Sequence, residues 1–401
     1  MSCARRAFVA LSISSVLFSS SVSFARDGEG RDDIQRQIQG DNAQEVPPPE
    51  PITSGSSWRM GIFGYLRGGY ENVQKDKNRP YVGRNSGFIL DSARLGFEGR
   101  NEPYHTSFRL SIEAASDSET AVNTPQGSLE TRMRDAFIRT DPVAYVGVQV
   151  GQFRVPFSEE DLRGVTDLLF ASRAVAQTGV MVGRGDQVTG LGIDREIGVM
   201  LSPEKPITIA GPVGVAYYLS LFNGNGANQL LNDSNDLAFA GRVEAVYGKL
   251  FQLGGAFLYN PRSRGVQPYA FVEKDMQFSG DVKLTFKGLE VAGQFTQRST
   301  KFETVKTDDR KQIGWHAQVG YKIPIYVPVM PAYRIAAFDP WSNAKSGSAV
   351  DKQALLYHTF GVRVFHPKLP LSTYINYTIT NEEKPNRLNN NRLEILAQLL
   401  F

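Results

Sequence analysis

Seven arginines are placed so that a guanidinium ladder could be built: Arg94, Arg109, Arg242, Arg298, Arg334, Arg363 and Arg392. Each lies on the polar side of a segment that alternates between polar and apolar residues. A guanidinium stays charged at physiological pH and presents a planar fork of donors that matches an oxyanion. A row of such groups along one wall is one physical route to anion selectivity. Glutamates share these faces, among them Glu98, Glu113, Glu244, Glu290 and Glu394. Two readings stay open: an anion-attracting ladder, or cross-strand ion pairs with little net field. A second charged group falls in the stretch from Pro156 to Asp194, where Glu159, Arg163, Asp167, Arg173 and Arg184 stand beside Glu160, Asp161 and Asp186.

Other chemistry finds little support. His105, His316, His358 and His366 are scattered, with no metal-ligand spacing. His105-Thr106-Ser107 puts a histidine and a serine on one strand face, but no orienting acid or oxyanion hole can be nominated for a hydrolase. Gly183-Arg184-Gly185-Asp186 lacks the Gly-Lys-Ser/Thr ending of a phosphate-cradling loop, and its Arg-Gly-Asp triplet reads as loop chemistry. No catalytic residue, metal, cofactor or nucleic-acid partner is called for.

The elements that must position these groups begin at Trp58. Period-two alternation separated by turn residues signals half-buried strands. From Phe271 onward, Met276, Phe278, Gly280, Val282, Leu284 and Phe286 share one face; Glu273, Asp275, Gln277, Ser279, Asp281, Lys283 and Thr285 share the other. Similar segments start near Arg59, Gly87, Tyr104, Leu129, Val143, Arg195, Gly211, Asn235, Leu250, Leu289, Lys311, Val329, Ala354 and Leu369, and a last one runs to Phe401. About sixteen strands of roughly ten residues, each long enough to cross a membrane when tilted, predict an all-β fold: a transmembrane antiparallel β-barrel. Its connections alternate. Short turns fall at Glu102-Pro103, Asp141-Pro142, Gly248-Lys249, Lys287-Gly288 and Pro367-Lys368, and longer polar loops lie between them. Short periplasmic turns and long extracellular loops are the expected asymmetry. Tyr65, Tyr70, Tyr217, Tyr247, Tyr259, Trp315, Tyr321, Tyr357 and Tyr377 are candidates for interfacial girdles. The stretch from Pro156 to Asp194 is the longest connection. A loop of that length in a compact barrel is usually functional, and folded inward it would set the pore's cut-off.

The N-terminus reads differently. Arg5 and Arg6, an apolar run from Phe8 to Phe18 and the Ser23-Phe24-Ala25 site form a secretory signal, so residues 1–25 are expected to be removed. The single cysteine, Cys3, would leave with them, taking disulfide and thiolate chemistry away. Residues 26–57 form a polar, then proline-rich, periplasmic extension, and residues 58–401 the barrel. The formal net charge is only +3, so charge by itself names no partner. Export plus a barrel implies the outer membrane of a Gram-negative-type bacterium, with lipid and lipopolysaccharide around it. The terminal Phe401, preceded by apolar residues at every second position, resembles the signal read by the barrel assembly machinery.

Gly151-Gln152-Phe153-Arg154-Val155-Pro156-Phe157-Ser158 is followed by Leu168-Leu169-Phe170 and Ser172-Arg173, then Arg195-Glu196-Ile197-Gly198-Val199. Phe222-Asn223-Gly224-Asn225-Gly226 leads through Asn235-Asp236 to Gly241-Arg242-Val243. This series resembles the phosphate-selective porin O and P family across roughly Trp58 to Phe401. The resemblance implies a sixteen-stranded homotrimeric porin with an inward-folded third loop and an arginine-lined pore. The chain carries no nucleotide-binding motif and no plug domain, so transport is expected to be passive. Preference for small anions, phosphate among them, is the hypothesis that the arginines raise and the resemblance does not settle. The lysine cluster of named members is missing from Pro156 to Asp194, which leaves ion preference open; a general or sugar- and carboxylate-selective porin is the alternative. An outer-membrane hydrolase and a non-conducting anchor are the more distant rivals.

Overall fold

The computed structural model describes residues 57–83, 86–117, 128–181, 183–264, 270–303, 308–348, 350–351, 353–383 and 387–401. The expected signal peptide and all of the extension except Ser57 lie outside the described residues, as do parts of several expected loops.

The strands start within a few residues of where alternation predicts. They are β1 (Trp58–Val73), β2 (Gly87–Asn101), β3 (Thr106–Asp117), β4 (Ser128–Val143) and β5 (Val146–Arg154). Next comes β6 (Arg195–Ser202, resumed at Ile207–Ala210), then β7 (Val213–Phe222), β8 (Ala238–Tyr247), β9 (Phe251–Arg264) and β10 (Phe271–Phe286). The remainder are β11 (Leu289–Phe302), β12 (Arg310–Tyr321), β13 (Val329–Asp339), β14 (Leu355–Phe365), β15 (Leu371–Glu382) and β16 (Arg392–Leu400). The interruption in β6 falls between Pro203 and Pro206, which lack the N–H a ladder needs. Each strand pairs antiparallel with its chain neighbours, and β1 pairs with both β2 and β16, so sixteen strands close into a barrel. Closure leaves the barrel sheet without an edge, as a lipid-spanning sheet requires.

Burial is inverted relative to a water-soluble core. On β10, Glu273, Asp275, Gln277, Ser279, Asp281 and Lys283 are buried, while Met276, Phe278, Val282 and Phe286 are exposed. The same holds on β2, β3, β11 and β16, where Leu95, Leu110, Val291 and Ile395 face outward. Apolar side chains face lipid and polar ones meet inside. Parity along the strands also sorts the aromatics. Tyr247, Tyr321 and Tyr377 are exposed on the outside, as a girdle requires. Tyr65 and Tyr357 are not girdle residues: each shares a face with inward-pointing neighbours, Arg67 and Thr359, and is buried in the lumen.

The connections at one end are tight. Lys287 and Gly288 have φ values of 45° and 86°, a two-residue turn whose twist suits a hairpin. Asp141 and Pro142 belong to β4, so the turn expected there lies one step on, at Ala144 and Tyr145. At the opposite end the connections are long. The longest, residues 155–194, leaves β5 and crosses the inside of the barrel.

Candidate functional site in the lumen

The launch of the long loop explains the most specific stretch of the sequence. Gly151 has φ 127°, and a Cβ there would stand 2.1 Å from the Ala136 carbonyl oxygen. The Gln152 amide donates to the Met133 and Arg134 carbonyls at 2.8 and 2.9 Å and so caps the irregular pairing of β4. Phe153 packs against Phe137, Met200 and Tyr218. Arg154 turns along the loop and donates to the Asp161 and Leu162 carbonyls at 3.0 and 2.9 Å, and to that of Arg163. Val155 and Phe157 are fully buried against Phe222, Ala238 and Leu258. Ser158 then caps a helical turn, α1 (Glu159–Leu162), accepting from the Asp161 N–H. Asp161 closes the loop on itself. Its carboxylate accepts from the Ser158 hydroxyl at 2.6 Å and from the Ile193 N–H at 3.3 Å.

The loop is then fixed round the inner wall. Arg163 pairs with Glu159 at 2.5 Å and with Glu290 on β11; Arg163 and Glu290 are each 1% exposed. Arg242 donates to the Phe157 carbonyl at 3.1 Å and grips Asp281 at 2.6 and 2.7 Å. A second helical turn, α2 (Val175–Thr178), packs with Leu191 against Ala336, Phe338 and Leu355. Arg184 forms a two-point pair with Glu71 on β1, both distances 2.7 Å, and Asp186 accepts from Tyr81 at 2.8 Å. The Arg-Gly-Asp triplet is thereby locked at the lumen wall.

The expected ladder divides into groups. Arg94 and Arg109 lie over the Phe63 ring, with Asp135 and Glu98 as their carboxylate partners. Arg242 is paired with Glu244 and Asp281. Arg392 meets Glu394 at 3.2 Å and the Ser172 hydroxyl at 3.3 Å. Arg334 and Arg363 donate to backbone carbonyls of the loop. Arg298 lies at the outer end, where its donors meet amide oxygens: Gln312 at 3.5 Å and, with its amide turned to satisfy its neighbours, Gln277 at 2.8 Å. Of the loop charges, Arg173 donates to the Arg163 carbonyl at 2.6 Å, and Asp167 is buried. Burial pushes the Asp167 carboxyl up to about 7 despite Arg363 and Arg163 nearby, and the Asp161 carboxyl up to about 6. Burial would raise Glu159 too, but the Arg163 guanidinium and Lys283 ammonium outweigh it and hold that carboxyl below its usual value.

The geometry is that of a channel constricted by an inserted loop, and residues 63–244 match the family model described as phosphate-selective porin O and P. This is an outer-membrane porin. Among solved structures the porin resembles OmpF of Salmonella typhi, solved with daunomycin, at 12% identity and TM-score 0.61, over 87% of this chain and 99% of that one. It resembles an anion-selective porin from Comamonas acidovorans at 13% identity and TM-score 0.57, over 86% and 100%. In vitro folded OmpT of Vibrio cholerae, in trimer form, is similar at 11% identity and TM-score 0.53, over 86% and 100%. At these identities the likeness is one of fold. No curated protein sequence matches the porin.

Several residues that shape the porin's lumen escaped the sequence reading: Arg67, Glu71, Asp135 and Tyr374; Arg154 and Arg195 stand out in the sequence as motif residues but not as lumen groups. Strand parity would have put Arg67 on the inner face with Tyr65 and Glu71. Nothing in the sequence announces that Asp135 sits between Arg94 and Arg195 (2.7 Å), because that depends on the packing of three strands and the loop's return.

Proposed function

We propose that the porin is a passive diffusion channel that prefers small anions, phosphate and other oxyanions among them. One observation carries this reading. At the long-loop end of β9–β12, Arg262, Arg264, Arg298 and Arg310 share the inner wall with two carboxylates. Arg262 meets Asp275 at 2.8 Å and Glu273 at 3.1 Å, and Arg264 meets Glu273 at 3.0 Å. Arg310 lies over the Trp341 ring at 5.3 Å. Among these six side chains the guanidiniums are in excess, and a low-dielectric mouth lined by one sign of charge concentrates the opposite ion.

The deeper constriction favours a second reading, a general and weakly selective porin. There Arg163, Arg184, Arg195 and Arg242 each have carboxylate partners. The reversal potential across a potassium chloride gradient separates the two. Anion selectivity that falls in an Arg298→Gln/Arg310→Gln variant supports the mouth as the selective element. Selectivity near zero in the wild type supports the general porin.

Export through the residue 1–25 signal, assembly guided by Phe401, residence in lipid and lipopolysaccharide, and a homotrimer complete the proposal. What supports a part for Phe401 is its pairing at the seam where β16 meets β1: its N–H and carbonyl pair with Gly64 at 3.1 and 2.8 Å.

A further inference from the structure

Between Thr166 and Arg173 the loop runs without regular structure past the 3-10 turn Val165–Asp167, so its carbonyls must find donors elsewhere. The wall supplies them from one arc of adjacent strands. Arg363 on β14 donates to the Thr166 carbonyl at 3.1 Å and the Leu168 carbonyl at 3.5 Å. Tyr374 on β15 reaches the same two oxygens at 3.2 and 3.3 Å, and Gln398 on β16 reaches Thr166 at 3.1 Å. Arg67 on β1 donates to the Ala171 carbonyl at 2.6 Å. Arg334 on β13 takes the Ser172 and Arg173 carbonyls at 2.9 and 3.2 Å.

Packing repeats the same contact in apolar terms. Leu169 and Phe170 fit against Met330 and Phe365, and Ala171 against Tyr374 and Leu396. The Arg334 guanidinium covers the Phe170 ring at 4.5 Å. The recess is cut to size by Gly361, where a Cβ would stand 2.9 Å from that ring.

We infer that Arg67, Arg334 and Arg363 are positioning residues that set pore size by clamping the Thr166–Arg173 segment to the β13–β1 wall through its backbone carbonyls. Their donors are spent on the loop, while carboxylates offset the charge of two of them: Asp91 lies 3.0 Å from Arg67 and Glu160 lies 3.8 Å from Arg334. A planar fork can span two neighbouring carbonyls; a lysine ammonium is a single point on a flexible stem. The inference rests on the channel reading, and the test keeps the two apart.

The experiment compares wild type with Arg67→Met/Arg334→Met/Arg363→Met, with Arg334→Lys, and with Gly361→Leu, which alters no charge. Folding is checked by the heat-dependent shift of the barrel on a gel. Two readouts follow: single-channel conductance, and the labelling rate of Ala171→Cys by a water-soluble thiol reagent in a chain lacking Cys3. The triple variant and Gly361→Leu should both raise conductance roughly twofold with added open-channel noise, and speed labelling roughly tenfold. Arg334→Lys should shift both readouts in the same direction although it keeps its charge. Wild-type conductance and labelling in the triple variant, or full rescue by lysine, overturns the clamp. A wild-type chain that labels slowly at Ala171→Cys but never conducts overturns the channel reading instead, and labelling still decides the clamp.

Discussion

Removing the positive charge of Arg163 should detach the first turn of the loop from the wall without unfolding the barrel. In Arg163→Met the side chain keeps much of its length but no charge. Glu159 and Glu290 then face one another in a site from which water is largely excluded: the three side chains are 1%, 10% and 1% exposed for Arg163, Glu159 and Glu290. Breaking a buried pair by removing one partner costs roughly 3–5 kcal/mol. Lys283, at 3.8 Å from Glu159, gives partial compensation, so the lower end applies. At about 1.4 kcal/mol per factor of ten, 3 kcal/mol is roughly a hundredfold shift from docked to undocked loop. The β10–β11 ladder is untouched, so the cost falls on the loop. Limited proteolysis, with the barrel band as internal standard, reads the shift as faster cleavage within residues 155–194. Adding Glu290→Gln to the variant should restore part of the protection, because it removes one uncompensated charge. Unchanged cleavage in Arg163→Met, or faster cleavage still in the double variant, refutes the reasoning.

Two further outcomes follow from other parts of the structure. Asp161 and Asp167 titrate near 6 and 7, above the ordinary aspartate value, so each binds a proton on docking that it lacks when undocked. Below about pH 4 both states are protonated and nothing is lost; as pH rises through about 6 to 7 the docked loop loses stability. Open-channel noise should therefore grow from about pH 4 to about pH 7, level off above that, and stay flat in Asp161→Asn/Asp167→Asn; noise that grows on acidification contradicts this. Gly64→Val should block barrel closure, because a Cβ there meets the Arg94 carbonyl oxygen at 2.4 Å and the Phe401 ring at 2.6 Å. The check is the yield of heat-modifiable barrel, and wild-type yield would count against it.

Strand parity and most turn positions are local properties, and the sequence by itself was enough to determine them; the turn after β4, expected at Asp141-Pro142 and found at Ala144 and Tyr145, is an exception. A period of two states which face each side chain takes, whatever the neighbouring strand contributes. That is why the starts of β2, β6, β11 and β13 match, and why Arg94, Arg298 and Arg334 could be assigned to one wall. It is also why the loop leaving β5 stood out: glycines, buried-type aromatics and paired charges occur there with no strand period.

What each inward arginine does was decided only in three dimensions. Arg334 and Arg298 look alike along the chain, each on the polar side of a strand. One lies under the loop and spends its donors on carbonyls at 2.9 and 3.2 Å; the other lies at the mouth and meets amide oxygens. The difference comes from where a loop that leaves β5 passes over β13, far away in sequence. Charge in a lumen is a sum over groups brought together from many strands. No period within one strand carries that sum, so the ladder was legible as a set of positions while its use required the fold.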